Sequence, residues 1–193
     1  CASDAGADGI QFQIFSTDNI FVPTHRFYNL VKGLEIPTAK WKELIIYAKS
    51  KGLAVFVNPL EHSVLKEILE LDIDALKLHS SDLSNPLMLE LIGFSKLPLL
   101  ISVGGSTIEE INDAIQLLEK LNVENVILMH GFQAFPTKVE DSHLNYINTL
   151  STLFNWPVGY QDHIDGDSRL AFVIPALAMS KGAVLVEKHI TDD

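Results

Sequence analysis

Four apolar runs in this chain end in side chains that bind protons, anions or metals. They are Val184-Leu-Val-Glu187-Lys188-His189, Ala75-Leu-Lys77-Leu-His79-Ser80, Val126-Ile-Leu-Met-His130 and Val158-Gly-Tyr-Gln-Asp162-His163. Residues two apart on an extended strand share a face, so Glu187 goes with His189, Lys77 with His79, and Gln11 with Gln13. His163 and His189 close neighbouring strands. Two imidazoles with an acid nearby, Glu187 or Asp162, can hold a divalent metal that keeps positions open for water or substrate. Such an ion polarises a carbonyl as a Lewis acid. The plainer alternative for either histidine alone is a hydrogen-bonded core residue. Lys77 lies inside an apolar strand, and a buried ammonium requires an anion. That anion is Glu187, Asp82, or the phosphate or carboxylate of a substrate. Ser80 and Ser102 add hydroxyl donors at strand ends. The turn Gly104-Gly-Ser-Thr107 offers free amides and a helix start to a phosphate, a signal that many strand-to-helix turns share. His62 and His143 fall on helical segments and are expected to be solvated.

Seven apolar runs are the elements that must position these groups: residues 9–15, 53–58, 75–80, 99–103, 125–131, 158–163 and 183–190. They are continuous rather than alternating, as in parallel strands covered on both faces. Amphipathic segments separate them. Residues 38–51 repeat Trp41, Leu44, Ile45 and Ala48. Residues 107–121 carry Ile108, Ile111, Ile115 and Leu118 behind a Thr107-x-x-Glu110 capping box. Residues 141–154 and 167–180 form two more helices, the second stopped by Gly182. Segments 61–71 and 86–93 are shorter. Strict alternation of strand and helix predicts a parallel sheet with right-handed crossovers. Polar strand ends recurring around the whole chain predict a TIM (β/α)8-type barrel, truncated to about seven strands, because a complete one takes ~250 residues. A first strand, most of a first helix and a final helix are expected to be missing. The alternative is an open doubly wound sheet, whose ligands gather at one switch point. The longest connection, residues 15–38, brings Asn19, Phe21, His25, Arg26, Phe27 and Tyr28 to the mouth. Its aromatics either lid a ligand or cover the barrel top.

With 193 residues, 47% of them hydrophobic, the chain is read as one partial barrel domain over 1–193 with a real core. A net charge of −11 argues against nucleic acid or an anionic membrane as partner. A few inward lysines still permit a small anionic substrate. The single cysteine, Cys1, excludes an internal disulfide and fits a cytoplasmic protein. Neither a membrane-spanning run nor a signal peptide is read in the sequence.

Six ordered motifs resemble the N-acetylneuraminate (sialic acid) synthase family across essentially the whole chain. They are Ala5-Gly-Ala-Asp-Gly-Ile-Gln-Phe-Gln13, Lys77-Leu-His-Ser-Ser-Asp82, Leu100-Ile-Ser-Val-Gly104, His130-Gly-Phe-Gln-Ala-Phe-Pro136, Gly159-Tyr-Gln-Asp-His163 and Glu187-Lys-His-Ile-Thr191. The resemblance implies a TIM barrel followed by a small antifreeze-like domain that this chain does not include. It implies condensation of phosphoenolpyruvate with an open-chain N-acetylhexosamine to a sialic or related nonulosonic acid, for surface carbohydrate. C3 of phosphoenolpyruvate attacks the metal-polarised aldehyde, water attacks C2, and phosphate leaves. It also implies His163 and His189 as ligands of Mn or Mg, and Lys77, Ser80 and Ser102 as phosphoenolpyruvate contacts. Asp82 stands where the family has an acid–base glutamate, and Glu187 lies beside the metal. Asp82, Glu187 and Lys77 are therefore the catalytic candidates. Gln11, Gln13, Asn58, His130 and Asp162 join the substrate contacts. The resemblance implies a homodimer in the full-length protein, a second domain reaching the partner's site.

The chain departs from the family pattern in places. Gln11-Phe-Gln13 replaces the usual Lys-Phe-Gln, which removes a positive charge. Val57-Asn58-Pro59 replaces Ser-Thr-Pro. These departures suggest a divergent branch with a different sugar, or a weakened enzyme. Two other readings stay open: a non-catalytic or regulatory barrel that binds a sugar or phosphate, favoured by Gln11, and a metal-dependent phosphodiesterase on the same fold. The latter requires more acidic metal ligands than Asp162 and Glu187.

Overall fold

All seven expected strands form, most of them trimmed at their ends. They are β1 (Gly9–Ile14), β2 (Ala54–Pro59), β3 (Ala75–Leu78), β4 (Leu99–Ser102), β5 (Val126–His130), β6 (Val158–Asp162) and β7 (Val186–Lys188). The structure, a computed structural model, describes residues 1–191. The helices are α1 (Thr17–Ile20), α2 (Tyr28–Lys32), α3 (Thr38–Ser50), α4 (Leu65–Ile68), α5 (Pro86–Phe94), α6 (Ile108–Lys120), α7 (Asn145–Phe154) and α8 (Leu170–Ser180). The capping box forms at α6: the Glu110 amide donates to Thr107 Oγ1, and the Thr107 amide donates to the Glu110 carboxylate. Gly182 follows α8 at φ 99°, the left-handed geometry that ends a helix without a Cβ clash.

The sheet runs β1 to β7 in chain order, every neighbouring pair parallel. A doubly wound sheet reverses direction at a switch point, and sequential order excludes it. The sheet is also curled. Lys77 on β3 contacts Glu187 on β7 at 2.5 Å. Four strand spacings would separate those strands by roughly 19 Å in a flat sheet, more than the two side chains can bridge. The chain is therefore a seven-stranded partial barrel. Cys1 Sγ comes within 3.8 Å of the Thr191 carbonyl, so the segment before β1 meets the segment after β7. Among the described residues no ladder joins β1 to β7.

Strand alternation sorts the side chains into two cores. The large one lies between sheet and helices and takes Val55, Val57, Leu76, Leu78, Leu99, Ile101, Leu128, Val158 and Tyr160 from the strands. The small one lies inside the curl: Ala75, Leu100 and Met129, packed by Phe56, Ile127 and Leu185. It plugs the lower barrel, and polar residues occupy the same inward rows above it. The 15–38 connection holds α1 and α2, tied by Tyr28 and Lys32 to Asp18. Phe27 and His25 are exposed, and the His25 ring makes tilted contacts with both Phe27 and Phe21.

Strands β1 and β7 are only partly buried, whereas β3, β4 and β6 are buried throughout. Each leaves a row of backbone groups open to pairing. The isolated 193-residue chain is therefore expected to self-associate, as read by size-exclusion chromatography with light scattering. A monodisperse monomer with one cooperative melt would overturn this.

Candidate active site

The inward rows end at one rim, the C-terminal end of the strands. Lys77 lies there, 2% exposed. Its ammonium reaches both Glu187 oxygens at 2.5 Å. Of the two anions open to it in the sequence, the fold selects Glu187. Asp82 instead accepts from the Asn85 amide at 3.2 Å, within the turn that starts α5. Burial pushes the Lys77 ammonium below its ordinary affinity for protons, against the pull of Glu187.

Ser102 and Gln161 occupy the inward rows of β4 and β6. Ser102 Oγ and Gln161 Oε1 are buried without a hydrogen-bond partner. Buried polar atoms are nearly always satisfied, so an unsatisfied pair at a strand-end rim is a place for a ligand's polar groups. Gly131 makes room for Gln161, since a Cβ there would sit 2.7 Å from the Gln161 Cβ. Asn58, buried on β2, has its amide nitrogen 3.2 Å from the Lys77 carbonyl when it faces that way. Gln11 and Gln13 follow on β1, Gln13 exposed, and Ser80 is half-buried beyond β3.

One step further out, His163 and His189 stand with ring centroids 5.3 Å apart. The His163 Nδ1–H donates to the Phe132 carbonyl at 2.9 Å, which leaves its Nε2 lone pair free. Burial, and then the nearby His163, lower the proton affinity of His189, which favours the neutral form that ligates a metal. The pair fits a divalent ion held by two protein nitrogens, with the remaining positions left to water or substrate. Among the described residues no cluster of three or more His, Cys, Asp or Glu forms a fuller set. Phe135, 73% exposed, lays its ring 4.8 Å from His189 and 5.9 Å from His163. His79 is half-buried and accepts from the Ser81 amide at Nδ1, so its neutral form carries the proton on Nε2.

Two nominated residues face the other way. Asp162 alternates with Gln161 and His163, so its carboxylate points out of the barrel and pairs with Lys188. It is neither beside the imidazoles nor in the inward row of substrate contacts. His130 likewise points outward. It donates from Nε2 to the Ser142 carbonyl at 3.0 Å and packs edge-on against Tyr146. It lines a cavity of ≈ 560 Å³ between the β4–α6 turn and α7, on the helix side of β5. The glycine turn meets that cavity, but the capping box already takes two of the amides at the α6 start. His62 and His143 are exposed, as expected. The sequence reading passed over Gln161 and Phe135. Gln161 was legible from alternation, two residues before His163. Phe135 carried no signal, because a loop aromatic reveals nothing of what it covers.

The NeuB family model matches residues 1–193. The chain belongs to the NeuB family. It is 34% identical to uncharacterized protein MJ1065 of Methanocaldococcus jannaschii, over all of this chain and 56% of that protein. It is 28% identical to an N,N'-diacetyllegionaminic acid synthase of Legionella pneumophila, again over the whole chain and 58% of the relative. The crystal structure of N-acetylneuraminic acid (sialic acid) synthetase from Leptospira borgpetersenii serovar Hardjo-bovis, in complex with citrate, superposes with a TM-score of 0.91 at 31% identity. That match covers all of this chain and 65% of the solved one. The chain thus spans a little over half the length of the curated relatives it matches. Among its described residues no helix is long and apolar enough to cross a membrane.

Breaking the buried pair from one side is expected to be costly. Glu187→Ala, which leaves the Lys77 ammonium unpaired, should lose about 3–5 kcal/mol in urea unfolding, while Lys77→Met with Glu187→Leu should lose far less. Burial lowers the proton affinities of His79, His130 and His189. Their folded pKa values lie below the unfolded one, so the unfolded chain takes up protons first as pH falls. Stability is then complete above about pH 6.5 and declines below it. Urea midpoints across that range should show the decline, and His130→Asn should make it shallower.

Proposed function

We propose that this NeuB-family barrel condenses phosphoenolpyruvate with an N-acetylated hexosamine-type aldehyde, forming a sialic acid or related nonulosonic acid for surface carbohydrate. The supporting observation is the inward polar row of Lys77, Glu187, Ser102 and Gln161 beneath the His163–His189 pair. It combines a buried cation, unsatisfied hydrogen-bonding atoms and two neighbouring imidazoles in one rim. The relatives named as sialic and legionaminic acid synthases support the same reaction class.

In this reading Lys77 holds an anionic oxygen of phosphoenolpyruvate, and the substrate shares the ammonium with Glu187. Ser102 and Ser80 donate hydroxyls to the same anion. Gln161 adds an amide donor and acceptor, and Asn58, Gln11 and Gln13 extend the contacts along β2 and β1. Asp82, at the start of the β3–α5 turn, moves protons as the aldehyde oxygen becomes a hydroxyl. His163 and His189 hold Mn or Mg, which when bound supplies Lewis-acid polarisation of the aldehyde carbonyl. A bond forms from C3 of phosphoenolpyruvate to the aldehyde carbon. Water adds at C2, and phosphate departs with the bridging oxygen. The proposed enzyme is a cytoplasmic homodimer in its full-length form, working on small molecules and not on nucleic acid or membranes.

Gln11 favours a second reading, a barrel that binds sugar or phosphate without turnover, since an uncharged amide holds an anion less well than an ammonium. A phosphodiesterase is disfavoured by the lack of a larger acidic cluster among the described residues.

Phosphate release from phosphoenolpyruvate on adding N-acetylmannosamine or a related N-acetylated sugar, with Mn²⁺ present, is the deciding measurement in the full-length protein. Release is expected, together with Mn²⁺ binding by calorimetry that His163→Ala with His189→Ala abolishes. Binding of both substrates without phosphate release would move the assignment to the non-catalytic barrel.

A further inference from the structure

The histidine pair is held from behind. Asp162 lies directly opposite Lys188 in the β6–β7 register, on the face of the sheet away from the barrel interior. Its side chain is fully buried, and its Oδ2 accepts from the Lys188 ammonium. Its Oδ1 accepts from the Ile164 amide at 3.2 Å. One carboxylate thereby fixes the backbone on the far side of His163 and the side chain of the residue before His189. His163 is pinned twice more, by its Nδ1–H to the Phe132 carbonyl and by the Thr137 amide donating to its own carbonyl at 2.7 Å. His189 has fewer restraints. It is exposed, lies just past the three residues of β7, and sits at an edge strand that pairs on one side.

We propose that Asp162 is a positioning residue: through Lys188 and the Ile164 amide it sets the separation and orientation of His163 and His189. This rests on the reading that the two imidazoles hold a divalent ion. A buried carboxylate is expensive without partners, so this one is kept where its two bonds are both satisfied. Removing a group that orients metal-ligating histidines typically weakens metal affinity by about 10–100-fold.

The test is Mn²⁺ affinity by calorimetry, with the electron paramagnetic resonance signal of the bound ion, in the full-length protein. Asp162→Asn keeps the shape and the acceptor for Ile164 but loses the charge. It is expected to weaken Mn²⁺ binding by about 10-fold or more and to broaden the bound-ion signal. Lys188→Arg alone, which keeps the pair with Asp162, should leave both at the parent values. An Asp162→Asn protein that melts lower but binds Mn²⁺ as tightly as the parent would make the pair purely structural and overturn the proposal. Should that variant not fold, Lys188→Met removes the pair from its more exposed side and is judged by the same outcomes. A separate failure is distinguishable: Mn²⁺ binding that survives in His163→Ala with His189→Ala shows that the ion lies elsewhere, and the proposal falls with the reading beneath it.

Discussion

The contact between Lys77 and Glu187 is what the site depends on. The two residues are 110 apart in sequence and four strands apart in the sheet, and they meet only because the sheet curls. A lysine in the middle of a buried strand would otherwise be among the costliest residues in the chain. Pairing makes it tolerable without making it inert, since a carboxylate partner can be shared with an incoming anion. The pair also links β3 to β7, which among the described residues has a strand neighbour on one side alone. Charge placement and barrel closure are thus coupled in one interaction.

The other groups follow from the same geometry. Inside the curl, the apolar plug of Ala75, Leu100 and Met129 forces polar inward residues to the rim. Outside it, the large core fixes the helices, and the helices fix the strand tilt that sets which inward residues are level. Asp162 and His130, both at strand ends, are recruited to that outer side. They anchor the backbone there instead of touching the barrel interior. A strand end therefore does two tasks at once, with alternate residues serving opposite faces.

Much of this was legible locally. Continuous apolar runs gave the seven strands, and the period of the intervening segments gave α3 to α8, because burial on both faces and burial on one face leave different patterns; the short α1 and α2 lie in the 15–38 connection, which carried no helical period. The Thr107–Glu110 box and Gly182 marked helix ends, because their chemistry is complete within a few residues. The adjacency of His163 and His189 followed from consecutive strands in a sheet whose order matches the chain. Residues 61–71 are the weaker case: they split into a 3-10 turn, His62–Val64, whose start Glu61 caps by accepting from the Ser63 amide, and the short α4.

By itself, then, the sequence determined the alternation of elements, the parallel sheet and which residues could reach a rim. Those properties depend on periodicity and on contacts within a few residues. Only the tertiary structure decided that Lys77 takes Glu187 and not Asp82. Tertiary structure alone also turned Asp162 toward Lys188, left Ser102 and Gln161 unsatisfied, and laid Phe135 over the histidines. Each of these depends on the curl, tilt and register of a whole sheet. Those are set by the summed packing of both cores, and no short window of residues encodes them.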